Sequence, residues 1–253
     1  PYEPQLSHFL LQAAVFTAFT TVAAYLLSRC TLRTPDLRQQ SVYRFAVIFS
    51  NCAFMGLPLE NALLGEDGLF FGAVCLAVYM IFTWTMGVRV MSGSEGKLSW
   101  KKVLLNPGVL AVLVGMVLFF SSTTLPNVLS APVGYLATLN TPVPMVIIGY
   151  HLSRAHIAPI LREKRTWLVM AERLIIVPLI GLGAGLLAHM DPTTLLSCII
   201  VLCPPTAAVC TMFAVSCKQD AALSVSLVSL STLLSVVTMP LMIVLAQTCL
   251  SLP

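Results

Sequence analysis

Apolar residues in this chain are grouped into long runs, and each run is close to the length of about 20 residues with which an α-helix crosses a bilayer. Short stretches that carry charged or turn-forming residues separate the runs. The pattern predicts an all-α bundle of eight membrane-spanning helices. Their predicted bounds are Ser7–Leu27, Ser41–Leu64, Leu69–Met91, Val103–Phe120, Pro132–Leu152, Trp167–His189, Thr194–Cys217 and Ala221–Leu250.

Composition strengthens this prediction. Hydrophobic residues make up 58% of the 253 positions and only 9% are charged, whereas soluble domains carry roughly a quarter charged residues. So little charge cannot cover a water-soluble protein of this size, and the expected surroundings are a lipid bilayer. The net charge of +4 does not indicate nucleic-acid binding, because no basic patch is interleaved with aromatic residues on a polar surface.

The basic residues also predict an orientation. With eight spans, they fall in the odd-numbered connections, whereas the second, fourth and sixth connections carry acidic residues or no charge. Because Lys and Arg are enriched on the cytoplasmic side, the odd connections are predicted to be cytoplasmic and both ends of the chain to lie outside. The residues that carry this argument are Arg29, Arg33, Arg38, Arg44, Arg89, Lys97, Lys101, Lys102, Arg154, Arg162, Lys164, Arg165 and Lys218.

The eight cysteines form no CxxC or Cys/His metal spacing. Most of them lie inside apolar runs, where small apolar side chains serve packing. We therefore expect no disulfide framework, no metal site and no cofactor. There is also no Gly-rich phosphate loop, no HExxH and no GxSxG, so the sequence does not indicate an enzyme.

Two predicted spans contain residues that a plain membrane helix avoids. The second carries Asn51, Gly56 and Pro58, and the seventh carries Pro204 and Pro205 followed by Thr206. Proline removes a backbone donor and clashes with the preceding turn, so both helices are predicted to break, with new half-helices from Leu59 and Thr206 onward. Freed peptide groups are tolerated at membrane depth only in protein or beside a cavity. Either break alone is also compatible with a structural kink, but the pair favours a transporter.

The position of the two breaks predicts an internal repeat. Aligning them pairs the first three spans with the last three, and five spans per repeat, with two missing before Pro1, would place every span. An odd number of spans gives the halves opposite orientations. We therefore expect a single transport domain over residues 1–253, with the last three helices of the first repeat in 1–91 and a five-helix second repeat in 103–253.

Several short motifs, in order along the chain, resemble the auxin efflux carrier family. These are Asn51-x4-Gly56-x-Pro58-Leu59 with Ala62 and Gly65, then Leu105-Asn106-Pro107, Leu125-Pro126, Pro142/Pro144–Gly149–Leu152, and Ser231-Thr232 with Pro240-Leu241. The resemblance covers essentially the whole chain. It implies ten helices in two inverted five-helix repeats, with crossovers in the fourth and ninth, and places the start of this chain at the third helix. It further implies a bacterial permease for malate, malonate or related acids, or a relative of plant auxin exporters.

A carboxylate substrate needs hydrogen-bond donors and positive potential, which half-helix N-termini supply. The expected crossover core is Asn51, Gly56, Pro58, Pro204, Pro205 and Thr206, and the Asn51 amide is the expected donor. The resemblance adds Thr141 and Pro142. We expect the hydroxyl-bearing residues of the last span, such as Ser231, to serve helix packing.

The charged pair Glu172–Arg173 lies within the sixth span near its predicted cytoplasmic end. Such a pair is a functional candidate, but snorkelling to the interface is the favoured interpretation. No cation and no acid are then expected at the bilayer centre. An anionic substrate would be held by dipoles and amides alone, which favours a monovalent or delocalised anion.

These features predict a secondary transporter of small organic acids that works by alternating access in the bacterial cytoplasmic (inner) membrane, with a homodimer as a candidate assembly. Two other classes stay open. A sodium-coupled organic-anion symporter of the bile-acid type would need clustered oxygen ligands, and a channel or membrane sensor would need a selectivity ring or a signalling domain.

Overall fold

The computed structural model describes residues 4–92, 110, 114–115, 117–118, 126–139, 142–143, 146, 149–150, 153 and 157–250. Within these ranges the regular secondary structure is helical, apart from one isolated bridge. The α-helices are α1 (Pro4–Thr31), α2 (Leu37–Ile48), α3 (Leu57–Phe82), α4 (Val88–Ser92), α5 (Asn127–Thr138), α6 (Ile157–Ile160), α7 (Lys164–Ala171), α8 (Val177–Leu187), α9 (Pro192–Leu202), α10 (Val209–Ser216) and α11 (Ala221–Leu250). Three π-helical turns join some of them: the first π turn (Cys52–Gly56), the second (Thr83–Gly87) and the third (Glu172–Ile176).

Four helices among the described residues are long and apolar enough to cross a membrane. They are His8–Thr31, Gly68–Ser92, Lys164–Leu187 and Ala221–Leu250. They confirm the predicted first, third, sixth and eighth spans to within a few residues. Most of the predicted fourth span, Val103–Phe120, and part of the fifth, Pro132–Leu152, lie outside the described residues.

The outer faces of these helices are apolar. Along α1 the exposed large side chains Leu11, Val15 and Phe19 follow one another at helical spacing. The exposed Leu233, Val237, Leu241 and Val244 do the same on α11, while its buried serines face the protein. Continuous apolar faces of this kind suit contact with lipid tails and not with water.

The core centres on α9. All of residues 194–202 are buried, and this helix packs against α1, α3 and α11. It begins sharply because the Asp191 carboxylate accepts a hydrogen bond from the Thr194 backbone N–H at 2.9 Å, and Pro192 occupies the first turn, where its missing donor costs nothing. The most buried element of the bundle is therefore the shorter apolar helix that leads to the second break.

Both predicted broken helices are confirmed. The first runs along α2, continues through non-helical residues 49–51, and resumes in the first π turn and α3. The second runs along α9, is non-helical over residues 203–208, and resumes as α10. Within α3 the chain turns at Gly65, whose φ of 66° suits a residue without a Cβ, so residues 57–64 and 68–82 form two limbs.

The position of the first break differs from the prediction. Pro58 lies in the first turn of α3 and not at the break. The chain leaves the helix at Phe49, with φ −105° and ψ 119°, and the half-helix begins at Cys52 and not at Leu59. The second half-helix likewise begins at Val209, three residues after Thr206.

Candidate substrate site at the helix crossover

The two non-helical segments cross and pair with each other. The Asn51 backbone N–H donates to the Pro205 carbonyl at 2.7 Å, and the Ala207 N–H donates to the Phe49 carbonyl at 2.9 Å. Ser50 and Thr206 face each other in an antiparallel bridge. An unsatisfied peptide group in hydrocarbon costs several kcal/mol. The crossing therefore satisfies part of the backbone that each break sets free.

A tyrosine from a distant segment completes the first break. The Tyr79 hydroxyl on α3 donates to the Ile48 carbonyl at 2.9 Å and accepts from the Ser50 N–H at 3.1 Å. It thus stands in for two helical hydrogen bonds that the extended residues 49–51 cannot make. This explains how a helix breaks here without a proline at the break itself.

Arg173 lies against the ends of both broken helices. Its side chain is 0% exposed, and its guanidinium donates to the carbonyls of Val47 at 3.1 Å, Ile48 at 3.4 Å and Leu202. These carbonyls are the last of α2 and α9, where the negative ends of the helix dipoles lie. The cation therefore neutralises both C-terminal ends at the crossover.

This arrangement corrects two expectations. Arg173 does not snorkel to the interface, and a cation does lie at the crossing of the broken helices. Its neighbour Glu172 is also buried, and both carboxylate oxygens of Glu172 lack a hydrogen-bond partner among the described residues. The third π turn carries both residues.

Both donor groups of Thr206, its hydroxyl and its N–H, make hydrogen bonds that stabilise the crossing. Its hydroxyl donates to the Ala46 carbonyl at 3.1 Å, and its N–H donates to the Ser231 hydroxyl at 3.2 Å. On the opposite segment, the Ser50 hydroxyl donates to the Val201 carbonyl at 3.1 Å. Ser231 therefore joins α11 to the second break, which is a packing role of the kind that the sequence predicted.

A cavity of about 420 Å³ lies beside the crossing. Both half-helices present their first residues to it, and the remaining wall comes from α3 and the second π turn. Its lining residues are Ser50, Asn51, Cys52, Ala53, Phe54, Leu76, Tyr79, Met80, Thr83, Trp84, Ala207, Ala208, Val209 and Met212.

The polar group best placed to meet a solute in this cavity is the Asn51 side chain. It is only 4% exposed, and its Nδ2 has no hydrogen-bond partner in the described part of the chain. The N–H groups that open a helix have no partner within that helix, and Cys52, Ala53 and Phe54 open the first half-helix and line the cavity. Asn51 thus adds two amide donors to a helix N-terminus, which is an anion-binding arrangement.

A sequence model described as membrane transport protein matches residues 6–100 and 95–243. The chain belongs to this family. The family membership confirms the resemblance that the Asn51–Pro58 motif predicted, and it makes the chain an integral membrane protein of a transport family. An uncharacterized transporter of Methanothermobacter thermautotrophicus (strain Delta H) is 25% identical over 199 residues, which are 78% of this chain and 65% of that protein. The chain therefore spans about 65% of the length of this relative.

In this membrane transport protein, the predicted site residues take different positions. Asn51 lines the cavity, and Pro204, Pro205 and Thr206 form the second break. Gly56 does not line the cavity, and a Cβ there would meet Pro204 Cγ and the Val201 Cα at 3.4 Å, the limit of ordinary van der Waals contact. The first half-helix therefore packs directly against the end of α9 and the second break.

Two of the predicted substrate-binding residues do not lie at the crossing, and a third lies outside the described residues. Pro58 sits in the first turn of α3, and Pro142 is exposed and does not line the cavity. Thr141 lies outside the described residues. A larger cavity of about 630 Å³ between α1 and α8 includes no residue of either break among its lining.

Sequence reasoning missed Tyr79 and Arg173 as members of the transport protein's crossover. A signal for Arg173 was available, since an ionisable residue inside a membrane span is a functional candidate. Tyr79 carries no comparable signal, because aromatic residues are common in apolar runs and its partners are 29 and 31 residues away.

Proposed function

We propose that this chain belongs to a secondary transporter of small organic anions, of the malate, malonate or auxin-like carboxylate class, that works by alternating access in a bacterial cytoplasmic membrane. The observation that carries the proposal is the buried amide nitrogen of Asn51, which has no partner among the described residues and belongs to a residue that lines the cavity beside the crossing, at the start of a half-helix. Broken helices whose ends face a midplane site are the recurring plan of such transporters.

The chemistry of the cavity supports an anion. Asn51 Nδ2 and the free N–H groups of the first π turn are donors, and a half-helix N-terminus favours negative charge. Arg173 offsets the negative ends of the α2 and α9 dipoles, so these ends do not oppose an anion near the crossing. A carboxylate placed at Asn51 would receive charge-assisted hydrogen bonds, which are about twice as strong as neutral ones.

The rest of the lining narrows the substrate class. Phe54, Tyr79 and Trp84 bring aromatic surface, and Leu76, Met80 and Met212 bring aliphatic surface. A volume near 420 Å³ is in the range of small-molecule sites. The remaining lining is mainly apolar, so within the class we expect a monocarboxylate with an apolar or aromatic body to bind better than a dicarboxylate.

The test is carboxylate flux into proteoliposomes that contain the full-length protein, with Asn51→Ala and Asn51→Asp as variants. Loss of a hydrogen bond to a charged group costs about 1.5–3 kcal/mol, so Asn51→Ala should lower the flux at low substrate concentration by roughly 10- to 100-fold. Asn51→Asp should lower it further, because the new carboxylate repels the substrate.

Asn61→Ala is the matched control, since Asn61 lies on the first limb of α3, ten residues after Asn51, is exposed and does not line the cavity. It should transport as the unmodified protein does. Unchanged flux in Asn51→Ala would remove Asn51 from the site. Failure of the unmodified protein to move any organic anion, with either a proton or a sodium gradient, would overturn the proposed function.

A further inference from the structure

A second carboxyl-bearing residue, Glu60, is buried between the two broken helices. It is 0% exposed and lies on the limb of α3 that leads away from the first break, nine residues after Asn51. The Ser197 hydroxyl on α9, nine residues before Thr206, donates to Glu60 Oε1. Glu60 Oε2 has no partner among the described residues. The proposed transport cycle so far makes no use of this group.

The packing around Glu60 leaves room for its carboxyl and little else. Gly72, on the other limb of α3, has no side chain, and a Cβ at Gly72 would overlap the Glu60 carboxyl. Because Gly65 reverses the chain between the limbs, the carboxyl is enclosed by both limbs of α3 and by α9. It has no contact with solvent in this conformation.

Glu60 forms no ion pair within the described part of the chain. The ion pair found there joins Glu163 and Arg165. Two thiols lie on the helices that enclose Glu60. Cys198 directly follows Ser197 on α9, and its Sγ is 3.7 Å from that of Cys75 on α3. From α1, which also packs against α3, the Ala13 carbonyl contacts the Cys75 thiol at 3.9 Å.

A carboxylate without a cation is costly to enclose in a low-dielectric interior, whereas a neutral carboxylic acid needs only hydrogen bonds. A conformation that buries Glu60 in this way is therefore stabilised when a proton occupies the carboxyl. A conformation that opens α3 from α9 and hydrates Glu60 favours the ionised form. Burial of Glu60 and proton binding are therefore linked. Any motion that alternately buries and exposes this carboxyl would make it bind and release a proton.

We propose that Glu60 is the proton-binding site that couples organic-anion transport to the proton gradient. In each cycle the Glu60 carboxylate takes one proton from water on the side to which it is exposed, forming the carboxylic acid, and releases that proton to water on the other side. No electrons move and no covalent bond other than O–H is made or broken. This inference rests on the proposed function, since it names the co-transported ion of the same carrier.

Two assays in proteoliposomes separate coupling from transport. Counterflow, the exchange of labelled for unlabelled substrate at equal pH on both sides, needs the carrier to move but no net proton movement. Accumulation against a concentration gradient, driven by an imposed pH gradient, needs coupling. We expect Glu60→Gln to keep counterflow within about twofold of the unmodified protein and to lose at least tenfold in pH-driven accumulation.

Glu172→Gln is the competing variant, because Glu172 is also a buried acid, and neither of its carboxylate oxygens has a hydrogen-bond partner in the described residues. Glu163→Gln, on the surface, is the neutral control. pH-driven accumulation that survives Glu60→Gln, or that is lost only in Glu172→Gln, overturns the proposal. If the unmodified protein shows counterflow but no accumulation driven by a pH gradient, the proposed role of Glu60 is wrong while the transport proposal stands. Absence of counterflow in the unmodified protein shows instead that the proposed function is wrong.

A chemical measurement on the unmodified protein covers the case in which Glu60→Gln does not fold. Hydrophobic carbodiimides attach to protonated carboxyl groups in apolar surroundings, and peptide mass spectrometry locates the adduct. We expect labelling at Glu60 that declines at least fivefold as the pH is raised through the range in which the carboxyl loses its proton. Labelling of Glu172 without labelling of Glu60 at any pH would contradict the assignment.

Discussion

The two breaks of the crossover occupy matching places in their helices but are built differently. The first, at residues 49–51, contains no proline and depends on hydrogen bonds from Tyr79 and Arg173. The second, at residues 203–208, is broken by Pro204 and Pro205 themselves. The first has an amide with an unpartnered nitrogen, on Asn51. The second carries Thr206, whose hydroxyl and N–H are both bonded within the protein.

This difference suggests a division of labour. The second break has its shape fixed by local backbone chemistry and uses its polar side chain to hold the crossing. The first break is held from outside by other helices, which leaves its own side chain available to a solute. A pair of similar interruptions therefore does not imply a pair of similar binding groups, and three substitutions separate the roles.

Substitution of Arg173, which donates hydrogen bonds to both broken helices, should have the largest effect on stability. Arg173→Met keeps the volume of the aliphatic stem but removes the guanidinium donor from the carbonyls of Val47 and Leu202, and it leaves Tyr79 as the donor to Ile48. Hydrogen bonds to charged groups contribute about 1.5–3 kcal/mol each, so we expect a loss of about 3 kcal/mol or more in stability. The loss of stability is measured by thermal unfolding in detergent, in which unfolding is detected by the reaction of buried thiols such as Cys210 with a maleimide.

Arg38→Met serves as the control for this experiment, because Arg38 is exposed and its side chain is not engaged at the crossing. It should unfold at the temperature of the unmodified protein. Equal unfolding temperatures for Arg173→Met and Arg38→Met would show that Arg173 does not hold the breaks.

Thr206→Val should have an intermediate effect, of about 1–2 kcal/mol on stability. The substitution keeps the shape, removes the bond from the hydroxyl to the Ala46 carbonyl, and leaves that buried acceptor unsatisfied. Because the hydroxyl is already used, the KM for substrate should stay within about twofold, unlike that of Asn51→Ala. A large rise in KM without a loss of stability would instead make Thr206 a binding residue equal to Asn51.

Pro58→Ala should have the smallest effect. Pro58 is the second residue of α3, which continues the first π turn with helical dihedral angles, so the half-helix already forms without an N–H at this position. Because the substitution to Ala removes no existing hydrogen bond, we expect a change in stability of about 1 kcal/mol or less and unchanged flux. The same thiol-reaction assay applies. A loss of several kcal/mol would mean that Pro58 itself makes the first break, as the sequence had suggested.

The sequence predicted what depends on local chemistry. Long apolar runs located the spans at α1 and α11, and Pro204-Pro205 located the second break, because a proline disrupts the helix in which it lies. The first break was placed at Pro58, too late in the chain, since its causes, Tyr79 and Arg173, are close only in the folded protein. Asn51 was identified from its place in a motif.

Charge placement shows the same limit. Arg173 follows Glu172 directly and lies near the end of an apolar run, which is typical of a snorkelling side chain. Only the packing of α2 and α9 against the third π turn reveals that three carbonyls meet at this point. Sequence reasoning likewise expected no acid at the bilayer centre and assigned no role to Glu60, which lies inside the second predicted span. Its enclosure by Gly72 and Ser197 arises from the reversal of the chain at Gly65.

The short bridge between Ser50 and Thr206 restricts how such a carrier can move. Sliding one interrupted helix past the other would break the Asn51–Pro205 and Ala207–Phe49 links together, and no water is at hand in the hydrocarbon to replace them. In the transport cycle proposed above, we therefore expect the two helices to move as one rigid piece, with the sliding surface where that piece meets its neighbours.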